Sequence, residues 1–307
     1  MRLLTLALLA LSTSPAAAEA LPVRLADGAT WTVTIEHVRE RERPGAAAQT
    51  TRLSTISEAR WTRAADGGRL TLTPKDVKLD GSNTEPPDLQ SLQSRPAVFG
   101  VDEALAPVRL ENWDQLRGAI AAELEKTSVD PGARAQLVGV LDGLSDEHAA
   151  KVMGRSWSMA SLAQGSDLSL GEDNVYDDLL PNPLGGPPIK SVGRFKLESV
   201  DKAAGRAVVV WTQSLDPAST TESIRQALQA MVERMAPEQA EGARKAFSSA
   251  KITREDACRH EIDIPTGLAL KAVCTSTSEV TVEGKTGTSR DRWTIAQTQP
   301  QTPAKTN

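Results

Sequence analysis

Two cysteines stand in the chain, and they flank a single turn: CRHEIDIPTGLALKAVC, running from Cys258 to Cys274. A turn fixes hairpin register, and a slip of one residue would send every side chain to the other face. Pro265-Thr266-Gly267 suits a three-residue hairpin loop, with proline at the first turn position and glycine at the left-handed last one. Ile264 then faces Leu268, Ile262 faces Leu270, His260 faces Ala272, and Cys258 faces Cys274. On the other face Glu261 falls against Lys271, an opposite-charge cross-strand pair. Directly opposed residues have Cα atoms about 4.5–5.5 Å apart, within the reach of a disulfide. A Cys258–Cys274 disulfide is therefore expected. Its rivals are a free dithiol and a metal site of Cys258, His260 and Cys274, which lacks an evident fourth ligand. No metal and no cofactor is expected.

A disulfide requires an oxidising compartment, and the N-terminus points to one. MRLLTLALLALSTSPAAAEA has Arg2, an apolar run from Leu3 to Leu11, and A-x-A frames at Ala16–Ala18 and Ala18–Ala20. This is the pattern of a cleaved signal peptide over residues 1–20. The apolar run falls short of the roughly 20 residues that span a bilayer, and no later segment approaches that length. The expectation is an exported chain, periplasmic or secreted, cut near Ala18 or Ala20 and not membrane-spanning. Its net charge of −5, with both signs interspersed, lacks the basic stripe of a nucleic-acid surface. The partner is left as an unknown small molecule or protein.

Strand patterns dominate the first third. In WTVTIEHV, Trp31, Val33 and Ile35 alternate with polar residues. STISEARWT and GRLTLT are expected to pair across a turn at Asp66-Gly67-Gly68, and AVFGVDEALAPVRLEN to form a short hairpin. Asn112, with Gln115 three residues on, reads as the N-cap of a helix whose apolar face is Trp113, Leu116, Ile120 and Leu124. Asp130-Pro131 and Ser145 open two more helices. GSDLSLGEDNVYDDLLPNPLGGPPIK reads as a Pro/Gly-rich loop. Residues 166–190 would then separate an N-terminal lobe, 21–165, from a C-terminal lobe, 191–298, with 299–307 a disordered tail. In the second lobe RFKLESV and AVVVWTQ form a hairpin. A helix after Asp216-Pro217 puts Ile224, Leu228, Met231 and Met235 on one face, breaks at Pro237, and is followed by another to about Ser249. Strands near 252–264, 268–282 and 288–297 close the chain. No β-α-β alternation occurs. The expected class is α+β, mostly antiparallel curved sheet with about five helices packed on one side.

Candidate chemistry is sparse. The dipeptide Trp-Thr recurs at Trp31, Trp61, Trp211 and Trp293, in strands. Those indoles either fill a core or, with Met231 and Met235, line a ligand cavity. Glu172, Asp173, Asp177 and Asp178 offer oxygen ligands for calcium but lack EF-hand spacing. His37, His148 and His260 have no catalytic partner at a recognisable spacing. Gly284-Lys285-Thr286 is no P-loop, because Glu279 occupies the position of its first glycine and the segment joins two strands. In VRERERPG the arginines 39, 41 and 43 alternate with Glu40 and Glu42, giving an exposed strand end or a partner-binding edge.

Three stretches, VDEALAPVRLENWDQL, LPNPLGGPPIKSVGRFKLESV and IDIPTGLALKAVCTSTSEV, resemble an uncharacterised family of exported, β-rich bacterial proteins of unknown function. The last resembles that group's D-x-x-T-G turn, carried here by Asp263, Thr266 and Gly267. The resemblance implies a β-rich exported fold and no activity. The leading expectation is a non-enzymatic protein that binds a ligand or partner. The alternatives are a carrier of lipid or another apolar ligand in a half-barrel cavity, and a hydrolase with dispersed acids at Tyr176, Asp177 and Asp178.

Overall fold

The computed structural model of the protein describes residues 18–65, 67–81, 95–126, 130–180, 182, 187–232 and 251–301. The first part of the chain forms β1 (Ala18–Ala20), β2 (Thr30–Glu42), β3 (Gln49–Ala64), β4 (Gly67–Gly81), β5 (Ala97–Val101) and β6 (Pro107–Leu110). Four helices follow: α1 (Trp113–Lys126), α2 (Pro131–Asp142), α3 (Asp146–Met153) and α4 (Arg155–Ser161). Then come β7 (Asp167–Ser169), β8 (Asp173–Leu180), β9 (Ile189–Asp201), β10 (Arg206–Leu215), α5 (Pro217–Val232), β11 (Lys251–Asp263), β12 (Leu268–Val282) and β13 (Lys285–Gln297).

Eleven strands make one antiparallel sheet in the order β6-β5-β4-β3-β2-β13-β12-β11-β10-β9-β8, and β1 pairs separately with β7. The sheet is two meanders joined by the ladder between β2 and β13. The expected α+β class, a large curved antiparallel sheet with helices, is what the molecule adopts, with five helices among the described residues. Helices α1, α3 and α4 contribute Trp113, Leu116, Ala149, Ala150, Trp157 and Ala160 to a core shared with the inner face of the sheet. Strand alternation supplies the other half, with Trp31, Val33, Ala59, Leu70, Trp211, Trp293 and Ile295 all buried there. The expected face of α1 holds, with Ile120 packed against the core beside the buried Trp113, Leu116 and Leu124.

The hairpin of β11 and β12 departs from the expected register at its tip and recovers it by the disulfide. Next to the turn, Asp263 pairs with Leu268 and Ile262 with Ala269. A bulge then leaves Leu270 unpaired, so that Glu261 faces Lys271, His260 faces Ala272 and Cys258 faces Cys274, as the sequence predicts. The loop is therefore one residue longer than Pro265-Thr266-Gly267. It is tied by Asp263, whose backbone carbonyl accepts from the Gly267 amide at 2.7 Å and whose carboxylate accepts from the Thr266 hydroxyl at 2.7 Å. Beside the bulge, two buried glutamines satisfy Ala269: Gln164 accepts from its amide at 2.8 Å and Gln297 donates to its carbonyl at 2.7 Å. Buried backbone groups without such partners would each cost about 1–3 kcal/mol.

Several local expectations are corrected. The β3–β4 turn falls earlier than expected, because Gly67 and Gly68 already belong to β4 and pair with Ala64 and Arg63 in the ladder. A Cβ on Gly68 would lie 2.4 Å from Nε1 of Trp61, so the glycine makes room for the indole. Asn112 does occupy the position before α1, but its side chain accepts from the Val98 amide and donates to the Pro96 carbonyl, pinning β5 rather than capping the helix. The stretch read as a loop from Gly165 holds β7 and the edge strand β8, and both halves of the chain contribute to one sheet. Its alternating apolar residues are too few and too often interrupted by acids to signal a strand. The end of β2 is no free edge, since Arg41 pairs with Ser289 on one side and Gln49 on the other. Met235, Pro237 and the helix expected to reach Ser249 lie outside the described residues.

The segment before β2 crosses the tip of the β11–β12 hairpin, and the Arg24 amide donates to the Thr266 carbonyl at 2.8 Å. Gly267 has φ +68°, and a Cβ there would lie 2.2 Å from the Pro22 carbonyl oxygen. Gly267→Ala should cost about 2 kcal/mol or more, through left-handed strain plus the backbone collision, read as a lower melting temperature. The Cys258–Cys274 disulfide is present, with Cα atoms 4.1 Å apart. Mass spectrometry of the unreduced, alkylated protein should find no alkylated cysteine. Replacing both cysteines with alanine should cost about 3 kcal/mol by the loop-entropy relation.

Candidate functional site

Register places the inner-face side chains in rows that cross the sheet. One row runs Leu79, Leu53, His37, Trp293, Cys274, Cys258, Trp211, Phe195. The next runs Thr51, Arg39, Asp291, Ser276, Asp256, Gln213, Gly193, Tyr176. The inner face thus grades from an aromatic row to a charged one within a single residue pair along each strand.

At the centre, Asp291 accepts from Nε2 of His37 at 2.7 Å and from Nε of Arg39 at 2.6 Å. His37 also stacks on Trp293, with ring centroids 4.7 Å apart and planes 4° from parallel. Arg155, the first residue of α4, lies over the same indole with its guanidinium carbon 5.0 Å from the ring centroid. Two strands away Arg254 holds the buried Asp256 through Nε at 2.9 Å. Three arginines therefore surround two carboxylates. Among the described residues Arg155 has only the indole face and no acidic partner in contact. Burial, reinforced by the charge of Arg254, lowers its pKa from the ordinary arginine value, yet a guanidinium keeps its charge in proteins. The site carries an excess positive charge.

Half-buried apolar residues adjoin it. Leu53 and Leu79 continue the row of His37, and Val77 the row of Ile35. At the far side of the sheet the phenol of Tyr176 lies over Gly193, where a Cβ would fall 2.1 Å from its ring, and accepts from the Trp211 indole at 2.8 Å. Burial raises the Tyr176 phenol above its ordinary value, so it stays protonated.

The residues singled out from the sequence are distributed as follows. Trp31, Trp211 and Trp293 are buried in the main core, and Trp31 donates to Gln297 at 2.7 Å. Trp61 is half-buried on the wall of an open groove of about 1050 Å³, bordered also by Leu25, Arg63, Asp102 and Leu105. Met231 lies on α5, and Met235 falls outside the described residues. The four acids are not gathered. Glu172 precedes β8, Asp173 pairs with Arg194, and the adjacent Asp177 and Asp178 project from opposite faces of β8. Asp178 faces inward and accepts from Gln213 at 3.2 Å. Tyr176 and Asp178 consequently share a face that Asp177 does not. His148 sits in the first turn of α3, where its amide donates to the Ser145 hydroxyl that caps the helix. His260 is fully buried, and Nε2 donates to the Met159 carbonyl at 2.8 Å. Burial lowers its pKa, against the pull of the Met159 and Val209 backbone. Among the described residues, Cys258, His260 and Cys274 form the one group of three potential metal ligands, their atoms within 4.8 Å of one another. Sequence reasoning missed Arg39 with Asp291, and Arg155, because their meeting depends on strands about 250 residues apart and on where α4 docks.

Burial raises the Asp291 carboxyl, but the hydrogen bonds from His37 and Arg39 outweigh it, and the net position is below the ordinary carboxylate value. A carboxylate depressed on folding adds stability that is present above the unfolded value, near pH 4, and is lost as pH falls through the lower folded value. Asp291→Asn should flatten this acid limb in melting temperature against pH. At neutral pH it should cost about 1–2 kcal/mol for the lost charge-assisted bonds.

No protein-family model matches the chain, and no curated protein matches it. Among solved structures, one of lipovitellin, described under lipid–protein interactions, aligns over 92% of this chain and 26% of its own, with a TM-score of 0.51 at 10% identity. The chain thus spans about a quarter of that molecule, and the likeness is one of fold. A structure of DynF from the dynemicin pathway of Micromonospora chersina covers 95% of this chain and 91% of its own at 7% identity, with a TM-score of 0.22. OpdQ of Pseudomonas aeruginosa covers 90% and 100% at 7% identity, with a TM-score of 0.27. These two scores are too low to relate the folds. What is established is an open, β-rich sheet protein whose overall architecture is similar to part of lipovitellin.

Proposed function

We propose that this is an exported, non-enzymatic binding protein that takes an amphipathic anionic ligand, a carboxylate or phosphate head on an apolar tail, against the inner face of its sheet. The observation that carries this is a juxtaposition. Arg155, Arg39 and Arg254 outnumber Asp291 and Asp256, and half-buried Leu53, Leu79 and Val77 stand on the same face beside them. The cation supplies charge-assisted contacts for a head group, and the apolar strip supplies burial worth about 25 cal/mol per Å² for a tail. Trp293, held between His37 and Arg155, would form the floor under the head. Lipovitellin, whose architecture is similar in part, is itself described in terms of lipid–protein interactions, which supports a lipid-like ligand. Residues 1–20 as an export signal, and the disulfide, belong to the same proposal.

The test is to purify the protein without detergent, extract it with organic solvent and identify bound molecules by mass spectrometry. A fluorescent fatty acid then serves as a binding probe. Arg155→Gln should weaken probe binding about tenfold, the size of one lost charge-assisted contact, and leave binding of the corresponding fatty alcohol unchanged. Absence of any co-purified amphiphile, with no probe binding in the wild type, would sink the proposal.

A further inference from the structure

Cys258, Cys274 and His260 point to the same buried spot, and the structure adds a fourth donor. Cys258 and Cys274 face each other on β11 and β12, and His260 follows Cys258 by two residues on the same face. All three are essentially inaccessible to solvent. From above, α4 lowers Met159 onto them, its Sδ 3.8 Å from Sγ of Cys258. Nε2 of His260 is fixed by its bond to the Met159 carbonyl, and Nδ1 is a buried nitrogen that makes no well-formed hydrogen bond, with the Val209 backbone close to the ring. Metal-binding histidines commonly donate the second ring nitrogen to a backbone carbonyl, which fixes tautomer and ring angle.

We propose that, before its cysteines are joined, this chain holds one thiophilic d10 cation, Zn(II) or Cu(I), on Cys258, Cys274 and the imidazole of His260, three residues whose ligand atoms lie within 4.8 Å of one another, with Met159 at the fourth position. Two thiolates, an imidazole and a thioether form a soft donor set of the kind that selects these metals over calcium or magnesium. The protons balance simply: each thiol releases one proton to solvent as its sulfur binds the metal. With Zn(II) the two thiolates and the cation cancel, which suits a site shut away from water. Met159 favours Cu(I), since thioethers suit the softer ion. In an oxidising compartment the same two thiols instead give up two protons and two electrons to an acceptor disulfide and form the Cys258–Cys274 bond seen here. Because the sulfurs are buried once the sheet is assembled, the choice between bond and metal is made as the chain folds. The inference is independent of the amphiphile proposal, since the donors lie beneath α4 and Arg155 is not among them.

The experiment uses the full-length chain prepared without oxygen in its thiol form. Zn(II) and Cu(I) are titrated separately against chromophoric chelators, with far-UV circular dichroism followed in parallel. One equivalent should bind. His260→Gln should weaken either metal at least tenfold, and Met159→Leu should weaken Cu(I) more than Zn(II). The disulfide form should bind neither metal. If the thiol chain is unfolded when apo, metal should restore its folded spectrum. Folding of His260→Gln is checked in the disulfide form, where no metal is needed. Failure of the thiol chain to bind one equivalent would overturn the proposal. So would binding that is indifferent to His260→Gln and leaves the spectrum unchanged, since two loose thiols would then explain it.

Discussion

The ladder between β2 and β13 is the contact on which the sheet depends. From Thr288 against Glu42 to Gln297 against Val33 it joins a meander made early in the chain to one made late. Without it, two separate sheets would each present a raw edge through the middle of the core. Trp31, Val33, Trp293 and Ile295, among the most deeply buried side chains, lie on its two strands. Ladder hydrogen bonds and side-chain burial therefore form together at this seam. The joining strands are about 250 residues apart in sequence, so the loop-closure entropy is met before most of the core can assemble. Topologies of this kind fold slowly.

The same seam creates the charged row on the inner face. Arg39 and His37 come from β2 and Asp291 from β13, so none of the three finds its partners until the ladder closes. Asp291 is then an anion with its charge well satisfied in a partly dry setting, which is more robust than the exposed ion pairs scattered over the outer face. Arg155 is the contrast. Its helix brings it to an indole rather than to a carboxylate, and a cation solvated by a ring face remains available to an incoming anion.

Much of the architecture is legible in the sequence, and the failures have physical causes. Period-two alternation in β2, the dipeptide Asp216-Pro217, the Ser145 cap and the cross-strand pair Glu261–Lys271 are local signals, and each is realised locally. The register at Cys258 also followed from sequence, although the bulge at Leu270 did not. A bulge is chosen by what surrounds it, here Gln164 and Gln297, which satisfy the backbone of Ala269 from distant segments. Asn112 has good capping chemistry, but its side chain bonds to the backbone of β5, a competition invisible without the fold. The candidate site was the least legible part. Its residues come from β2, β11, β13 and α4, and no short motif contains more than two of them.

The position of β8 gives its acidic run a different meaning. It is the last strand of the sheet, with Val175 and Leu179 exposed. An edge of this kind would accept a strand from another molecule, and the sheet could then grow from copy to copy. Asp173, Asp177 and Asp178 place negative charge on both faces of that edge. Two copies meeting there would bring like charges together along the whole strand. Asp173, Asp177 and Asp178 are strung along the strand and not arranged around a point. Charge spread along an edge in this way is the kind of feature that disfavours pairing with a second copy.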